Sequence, residues 1–328
     1  GDDAILFKYF FQVDGYSKWE KEYNILIPSK NPEMVADKFK LTISELKEKI
    51  NISKKTLFNR RKNRIRPLTD TKVLLSWNAL VISCYIDAYN AFNNENYYLT
   101  AKNSALKIIE IYNDNNQELK HILNYNQEEN LAFLDDYSFF IEALINLYQT
   151  DADEYWLETA LKLTQEAFIK FKKQNDELLF FSDVKLNKLY QNYKEITDIV
   201  IPSANSTFML NLFKLGTITD NSEYKNTAVN ALNLLSDKID TNPLYYSKWI
   251  KLLLMVENDF FTLRIEGKNS KEYLKKLNKM FIPNLLLMPN ISNTKDNQEN
   301  TIIYLCNKNY CFEPMTDIDK CVEIIKKQ

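Results

Sequence analysis

The stretch AFLDDYSFFIEALINLY, residues 132–148, decides how the chain is read. Tyr137, Phe140, Ile141, Leu144, Leu147 and Tyr148 recur at three- and four-residue spacing, the mark of a helix with a broad apolar stripe. Two adjacent carboxylates, Asp135 and Asp136, stand at its start. A helix N-terminus leaves N–H groups unpaired and carries partial positive charge, so acids suit a first turn. The helical wheel separates the two. Asp136 precedes Phe140 by one turn and falls on the buried stripe, whereas Asp135 lines up with Phe139 and Glu142. Asp135 is therefore expected to cap the helix and Asp136 to point into the mouth that the starts of neighbouring inner helices would surround. A buried carboxylate needs donors, and Asn78 and the Ser203–Ser206 turn are the expected ones.

Similar periodicity extends in both directions. It predicts helices at about 72–93, 97–114, 134–149, 153–173, 203–218, 222–240 and 243–257. In the fourth, Trp156, Ala160, Leu163, Ala167, Ile169 and Phe171 fall on or near one face. The helices come in pairs, and the pairs recur about every 65 residues, which suggests a solenoid or a closed toroid of helical hairpins. Before them lie an aromatic, mixed segment over 5–28, with YNILIPS extended, and a charged helical region from about 32 to 64 that Pro67 ends. After 258 the pattern changes. FFTLRIEG, NLLLMP and TIIYLC read as strands, SKEYLKKLNKMF and DIDKCVEIIKK as helices. The division is 1–66 for the N-terminal extended segment and charged helices, 67–258 for the hairpin domain, and 259–328 for a small α/β appendage.

Bulk properties narrow the function classes. The chain has 328 residues, 45% hydrophobic and 26% charged, with a net charge of −2. That balance gives no general attraction to nucleic acid or an anionic membrane, and no apolar run is long enough to span a bilayer. Neither partner is expected. Cys84, Cys306, Cys311 and Cys321 are too few for a disulfide scaffold, so a cytoplasmic location is the default. Cys306 and Cys311 flank a plausible hairpin loop, NKNY. They could form a disulfide, share a metal or pack as two thiols; no zinc ligand set accompanies them. No phosphate-binding glycine loop is present, and no cofactor is expected. The basic stretch Arg60, Arg61, Lys62, Arg64 and Arg66 lacks interleaved aromatics and reads as a solvated helix face.

The starts of the helices near 72, 134 and 203 share a feature. Each apolar stripe carries a polar side chain near its N-terminal end: Asn78, Asp136 and Asn205. If these are the inner helices of a toroid, their equivalent ends surround one mouth. Such a rim could hold hydroxyls or anions, or each group could cap its own helix.

RIRPLTDTKVLLSWNAL (64–80), FLDDYSF (133–139), KEITDIVIPSANS (194–206), FIPN (281–284) and YLCNKNYCFEP (304–314) occur in this order. Together they resemble the thioredoxin-domain-containing family that includes spermatogenesis-associated protein 20 and its bacterial relatives; GYSKWEKEYNIL (15–26) matches it too. Ala79 and Ala204 stand where that family has Gly, and Thr71 where it often has a second Asp. Family members are about twice this length, with a thioredoxin-like domain first. This chain resembles the C-terminal half and has no C-x-x-C.

The resemblance implies a mainly α fold, an (α/α) helical-hairpin toroid of six-hairpin glycosidase type with upstream hairpins absent, plus the α/β appendage. The expected partners are a carbohydrate, and either the N-terminal part of the same protein or a second chain packed on the open side. Epimerases of this fold are expected to use paired histidines, and His121 is the only histidine, read as a solvated loop residue. Carboxylate chemistry is the alternative, since glycoside hydrolysis uses two carboxyls roughly 5–10 Å apart. Asp136, Asp135 and Asp198 are the catalytic candidates, with Asp70 a distant fourth. Trp77, Asn78, Tyr137, Ser203, Asn205 and Ser206 are the candidate substrate-binding residues. The competing reading is a non-catalytic helical scaffold beside a thioredoxin-like module.

Overall fold

The structure, a computed structural model, describes residues 2–13, 18–19, 23–28, 30–125, 130–185, 193–258, 260–289 and 301–327. It divides into two compact units, Gly1–Thr71 and Lys72–Gln328. In the first, helices α1 (Asp2–Phe10), α2 (Pro32–Lys38) and α3 (Ile43–Lys62) accompany a two-stranded antiparallel ribbon, β1 (Lys18–Trp19) and β2 (Tyr23–Asn24). The opening residues, read from sequence only as aromatic and mixed over 5–28, begin with a helix. Leu6, Phe7 and Phe11 supply helical spacing, and they pack with Val35, Ala36, Leu46 and Ile50 into a small core. A reciprocal capping box starts α3: Glu45 N donates to Thr42 Oγ1 (3.2 Å) and Thr42 N to Glu45 Oε2 (2.7 Å). Its basic last turn is exposed.

The second unit is built from helical hairpins: α4 (Leu75–Phe92) with α5 (Glu95–Asp114), α6 (Leu134–Asp151) with α7 (Glu154–Phe171), and α8 (Ala204–Ile218) with α9 (Ser222–Asn233). One device makes all three corners. A residue in the left-handed region ends the first helix or follows its end (Asn93, Ala152, Asp220), and the next side chain caps the second (Asn94, Asp153, Asn221). The helix expected over 222–240 breaks into α9 and α10 (Ser236–Thr241). That expected over 243–257 opens as a single 3-10 turn, Pro243–Tyr245, before α11 (Ser247–Glu257). Pro243 has no N–H to give and suits only a first turn.

Packing sorts these helices into two rows. α4, α6, α8 and α11 lie side by side as the inner row, while α5, α7 and α9 back them. Sandwiched among α4, α7 and α8, helix α6 is buried at nearly every position. This is the α/α hairpin architecture read from the sequence. Each inner start touches the next, so the inner helices run parallel, with their N-termini at one end of the array. Among the described residues, α4 stands at one edge and α11 at the other.

Beyond α11, strand β3 (Phe261–Glu266) is central in a sheet of order β4–β3–β5. It is parallel to β4 (Leu285–Leu287) and antiparallel to β5 (Ile302–Cys306). Helix α12 (Ser270–Asn278) makes the crossover that parallel pairing requires, and α13 (Ile318–Lys327) closes the cluster around Phe261, Leu263, Leu274, Ile303 and Val322. Cys306 and Cys311 are disulfide-bonded. This α/β part sits on the C-terminal end of α6, where Asn278 Nδ2 donates to Gln149 O (3.2 Å) and the Tyr148 hydroxyl to Pro289 O.

Gly216 is where α9 comes closest to α8. A Cβ there would lie 2.9 Å from Asn221 O and 3.0 Å from Lys225 N, both backbone atoms that cannot swing aside. Gly216→Ala is therefore expected to lower stability by about 1–3 kcal/mol in urea titration despite its better helix propensity. An unchanged or raised midpoint would mean the α8–α9 corner is looser than described.

Candidate functional site

The inner-helix starts are held by the loops that arrive from the outer row. Leu75 N, at the start of α4, donates to His121 O (2.9 Å), and Leu134 N, at the start of α6, to Phe181 O (2.9 Å). Ala204 N, at the start of α8, donates to Glu195 Oε2 (2.9 Å). Each connection thus satisfies N–H groups that a helix cannot pair for itself.

Asp136 is fully buried and uses both oxygens. Oδ1 accepts from Ser76 N on α4 (2.9 Å), and Oδ2 accepts from Phe133 N (2.9 Å) and lies 2.9 Å from His121 Nδ1. The structure buries this side chain on the stripe, where the helical wheel put it, but it faces backbone donors and not an open mouth, and its donors differ from the expected ones. Asn78 instead donates to Leu74 O (2.7 Å), one turn back on its own helix, and the Ser203–Ser206 turn has its own acceptor. Capping also falls differently: Asp136, three residues after Phe133, closes the first turn of α6, while Asp135 Oδ1 accepts from Asp136 N (3.0 Å).

His121 is no solvated loop residue. It is half-buried against Asp136 and meets the Phe133 ring edge-on at 5.1 Å, and Phe133 in turn stacks on Phe181. No sequence periodicity marks it, because its partner is 15 residues away across a loop; being the only histidine was the one available cue.

Asp198 is equally committed. Oδ1 accepts from Ser203 N (2.7 Å) and the Ser206 hydroxyl (2.8 Å); Oδ2 accepts from Lys248 N on α11 (2.8 Å). Ser203 Oγ caps α8 by accepting from Ser206 N (3.2 Å). Asn205 pins the incoming loop, accepting from Leu179 N (2.8 Å) and donating to Leu179 O and Glu195 O (both 2.9 Å). Between α6 and α8, the Ser138 hydroxyl lies 2.9 Å from Ala204 O, and Asn211 Nδ2 donates to Ser138 O (2.8 Å). Asp136, Ser138 and Asp198 therefore link α4 to α6, α6 to α8 and α8 to α11.

The remaining candidates separate. Tyr137 is in the core, on the side of α6 that faces α7: its ring meets Phe171 edge-on at 5.4 Å and its hydroxyl lies beside Glu166. Trp77 is 62% exposed on α4. Asp136 and Asp198 face the protein, and among the described residues the candidates do not converge on a shared opening.

Burial raises the carboxyls of both aspartates, and the neighbouring Asp136 charge helps push Asp135 up to about 7. His121 is raised by its hydrogen bond to Asp136, against the opposing effect of burial. The sign is the same for both. A carboxyl raised in the folded state makes folding favour the proton, so its contribution is present at low pH and lost from about 3.9, the unfolded value, up to about 7. A histidine raised above about 6.5 continues the loss above that pH. The melting temperature is expected to fall as pH rises from about 4 to 7, and Asp135→Asn is expected to flatten that slope. A wild-type profile that rises across the window would contradict this placement.

No protein-family model matches the chain. It is 27% identical to an uncharacterised Caenorhabditis elegans protein over 94% of its length, covering 45% of that protein. It is 24% identical to spermatogenesis-associated protein 20 from both Rattus norvegicus and Homo sapiens, over 90% of this chain and 41% of each of those. The chain thus spans less than half the length of these relatives. Among solved structures, a GH76 α-mannanase of Bacteroides thetaiotaomicron aligns with TM-score 0.42 at 15% identity, over 72% of this chain and 69% of that one. The cellobiose 2-epimerase of Bacillus thermoamylovorans aligns with TM-score 0.41 at 14% identity, over 52% of this chain and 46% of that one. Over nine-tenths of its length, the chain is homologous to the C-terminal part of spermatogenesis-associated protein 20.

Proposed function

We propose that the hairpin array is a non-catalytic helical scaffold that binds a partner, the remainder of a protein built like spermatogenesis-associated protein 20, and does not hydrolyse glycosides through Asp135, Asp136 and Asp198. One observation carries this reading. The carboxylates that would do the chemistry already serve the backbone: Asp136 and Asp198 each accept from N–H groups on two separate segments. A glycosidase needs one carboxyl to protonate the leaving oxygen and another to reach water or the sugar. Asp136, with no exposed surface, can do neither without surrendering the helix starts. The edge helix α4 offers a surface for the partner, since Trp77 and Val81 lie one turn apart and are 62% and 50% exposed.

The second reading, a sugar-binding rim, rests on Asp135 and Trp77. Asp135 keeps 8% of its surface and is pushed up to about 7, and the exposed Trp77 follows Ser76, whose N–H donates to the adjacent Asp136. An indole face beside a carboxyl is a common way to hold a sugar ring.

Two measurements separate the readings. Asp198→Ala strands buried donors on two helices, so the scaffold reading expects it to cost about 2 kcal/mol or more in stability, with no glycosidase activity in wild type or variant. Turnover of any glycoside by the wild-type chain, abolished by Asp135→Asn, would overturn that reading. A sugar-induced rise in melting temperature that Trp77→Ala removes would establish the second.

A further inference from the structure

The turn that follows β5 carries the one disulfide among the described residues, between Cys306 and Cys311, five positions apart. Hydrogen bonds close this turn without help from sulfur. Asn307 N donates to Tyr310 O (2.9 Å) on one side of the Cys306–Cys311 pairing, and Phe312 N donates to Leu305 O (2.9 Å) on the other. The Asn307 side chain closes the tip, its Oδ1 accepting from Asn309 N and Tyr310 N (both 2.9 Å). Lys308 Nζ donates to Val256 O (2.8 Å) in the last turn of α11, and Cys306 stands in register with Thr262 of β3. The two cysteines are thus held side by side whether or not they are bonded to each other.

Neither of them belongs to the apolar core of the α/β part, where Phe261, Leu263, Ile303 and Leu305 meet. Cys306 is half-buried and Cys311 is exposed. A disulfide that resists reduction is shielded, whereas exposed ones are the labile and catalytic ones. This one is open to solvent and joins segments that the ladder already joins. Cys321 does not compete with it as a nucleophile, because burial pushes that thiol up to about 12 and keeps it protonated.

We propose that Cys306–Cys311 is a thiol–disulfide exchange site that accepts two electrons from a dithiol, two thiols carried by one partner molecule. A thiolate of the partner attacks Sγ of the exposed Cys311. The Cys306–Cys311 bond breaks, and Cys306 leaves as a thiolate that takes a proton from water. The partner's second thiolate then attacks the partner sulfur of the mixed disulfide and releases Cys311, which is protonated in turn. The partner ends as a disulfide and this chain with two thiols, so two electrons and two protons have moved. The hairpin explains why a dithiol is required. It keeps Cys306 beside Cys311, so a monothiol attached at Cys311 is displaced by Cys306 at high effective concentration. A dithiol resolves the mixed disulfide from its own side.

Dithiothreitol and glutathione at equal total thiol test this on the full chain carrying Cys84→Ser, which removes the other exposed thiol. Maleimide quenching followed by mass spectrometry counts the thiols formed. Dithiothreitol should convert the folded chain from no reactive thiol to two while its cooperative melting is kept, and glutathione should reduce it several-fold less. With Cys306→Ser added, glutathione disulfide should attach one glutathione at Cys311. With Cys311→Ser instead, the half-buried Cys306 should react several-fold more slowly. If either serine variant does not fold, peptide mapping of the first glutathione adduct on the Cys84→Ser chain decides the same point, and it should fall on Cys311. Reduction by dithiothreitol only after urea unfolds the chain, loss of cooperative melting on reduction, equal reduction by the two reagents, or a first adduct on Cys306 would overturn the proposal.

Discussion

The second unit depends on how the N–H groups at the starts of its inner helices find acceptors. Parallel inner helices bring all these starts to one end, and each start leaves donors unpaired. Water cannot serve those that are buried. The chain answers with carboxylates and with loop carbonyls. Asp136 bridges α4 and α6, and Asp198 bridges α8 and α11. Ser138 joins α6 to α8. The connections from the outer row are drawn across the helix ends by the same need, since His121 O, Phe181 O and the Glu195 side chain supply the remaining acceptors.

This constraint limits chemistry at that end. A carboxylate that accepts from several backbone donors is fixed in place and has little freedom to exchange protons with a ligand. Asp135 differs because it takes little of this duty; burial raises the proton affinity of both carboxyls, and the Asp136 charge adds to it at Asp135. The aspartates thus differ in work, Asp136 holding the helix starts and Asp135 left largely free of them. His121 completes the pair by giving Asp136 a donor from a loop, so that loop is tied to the position of α6.

The depth of the array follows other rules. Backbone donors inside helices are already paired, so the ionisable groups there serve no capping need. Glu142 and Lys248 satisfy one another. The two ends of α6 are thereby distinguished: its start is occupied by structural hydrogen bonds, its C-terminal end is covered by the α/β part through Gln149 and Tyr148, and the charged group lies between.

Local chemistry determined much of this from sequence alone. The long hairpin helices were legible because apolar residues at three- and four-residue spacing have few other ways to be buried together, and the change of period after 258 marked the α/β part. The burial of Asp136 followed from its place on the wheel one turn before Phe140. The partners were not legible, because a hydrogen bond is set by which segments meet and not by spacing along one of them. His121 and Ser76 reach Asp136 from 15 and 60 residues away, and Asp198 looked like a rim residue until Ser203, Ser206 and Lys248 closed around it. The opening helix was not legible for a related reason: α1 is short, and Leu6, Phe7 and Phe11 declare a helix only against the core formed with α2 and α3. The Glu142–Lys248 pair lay furthest from view. A single charge in an apolar helix is conspicuous, but only the tertiary packing shows that Glu142 of α6 meets Lys248 of α11.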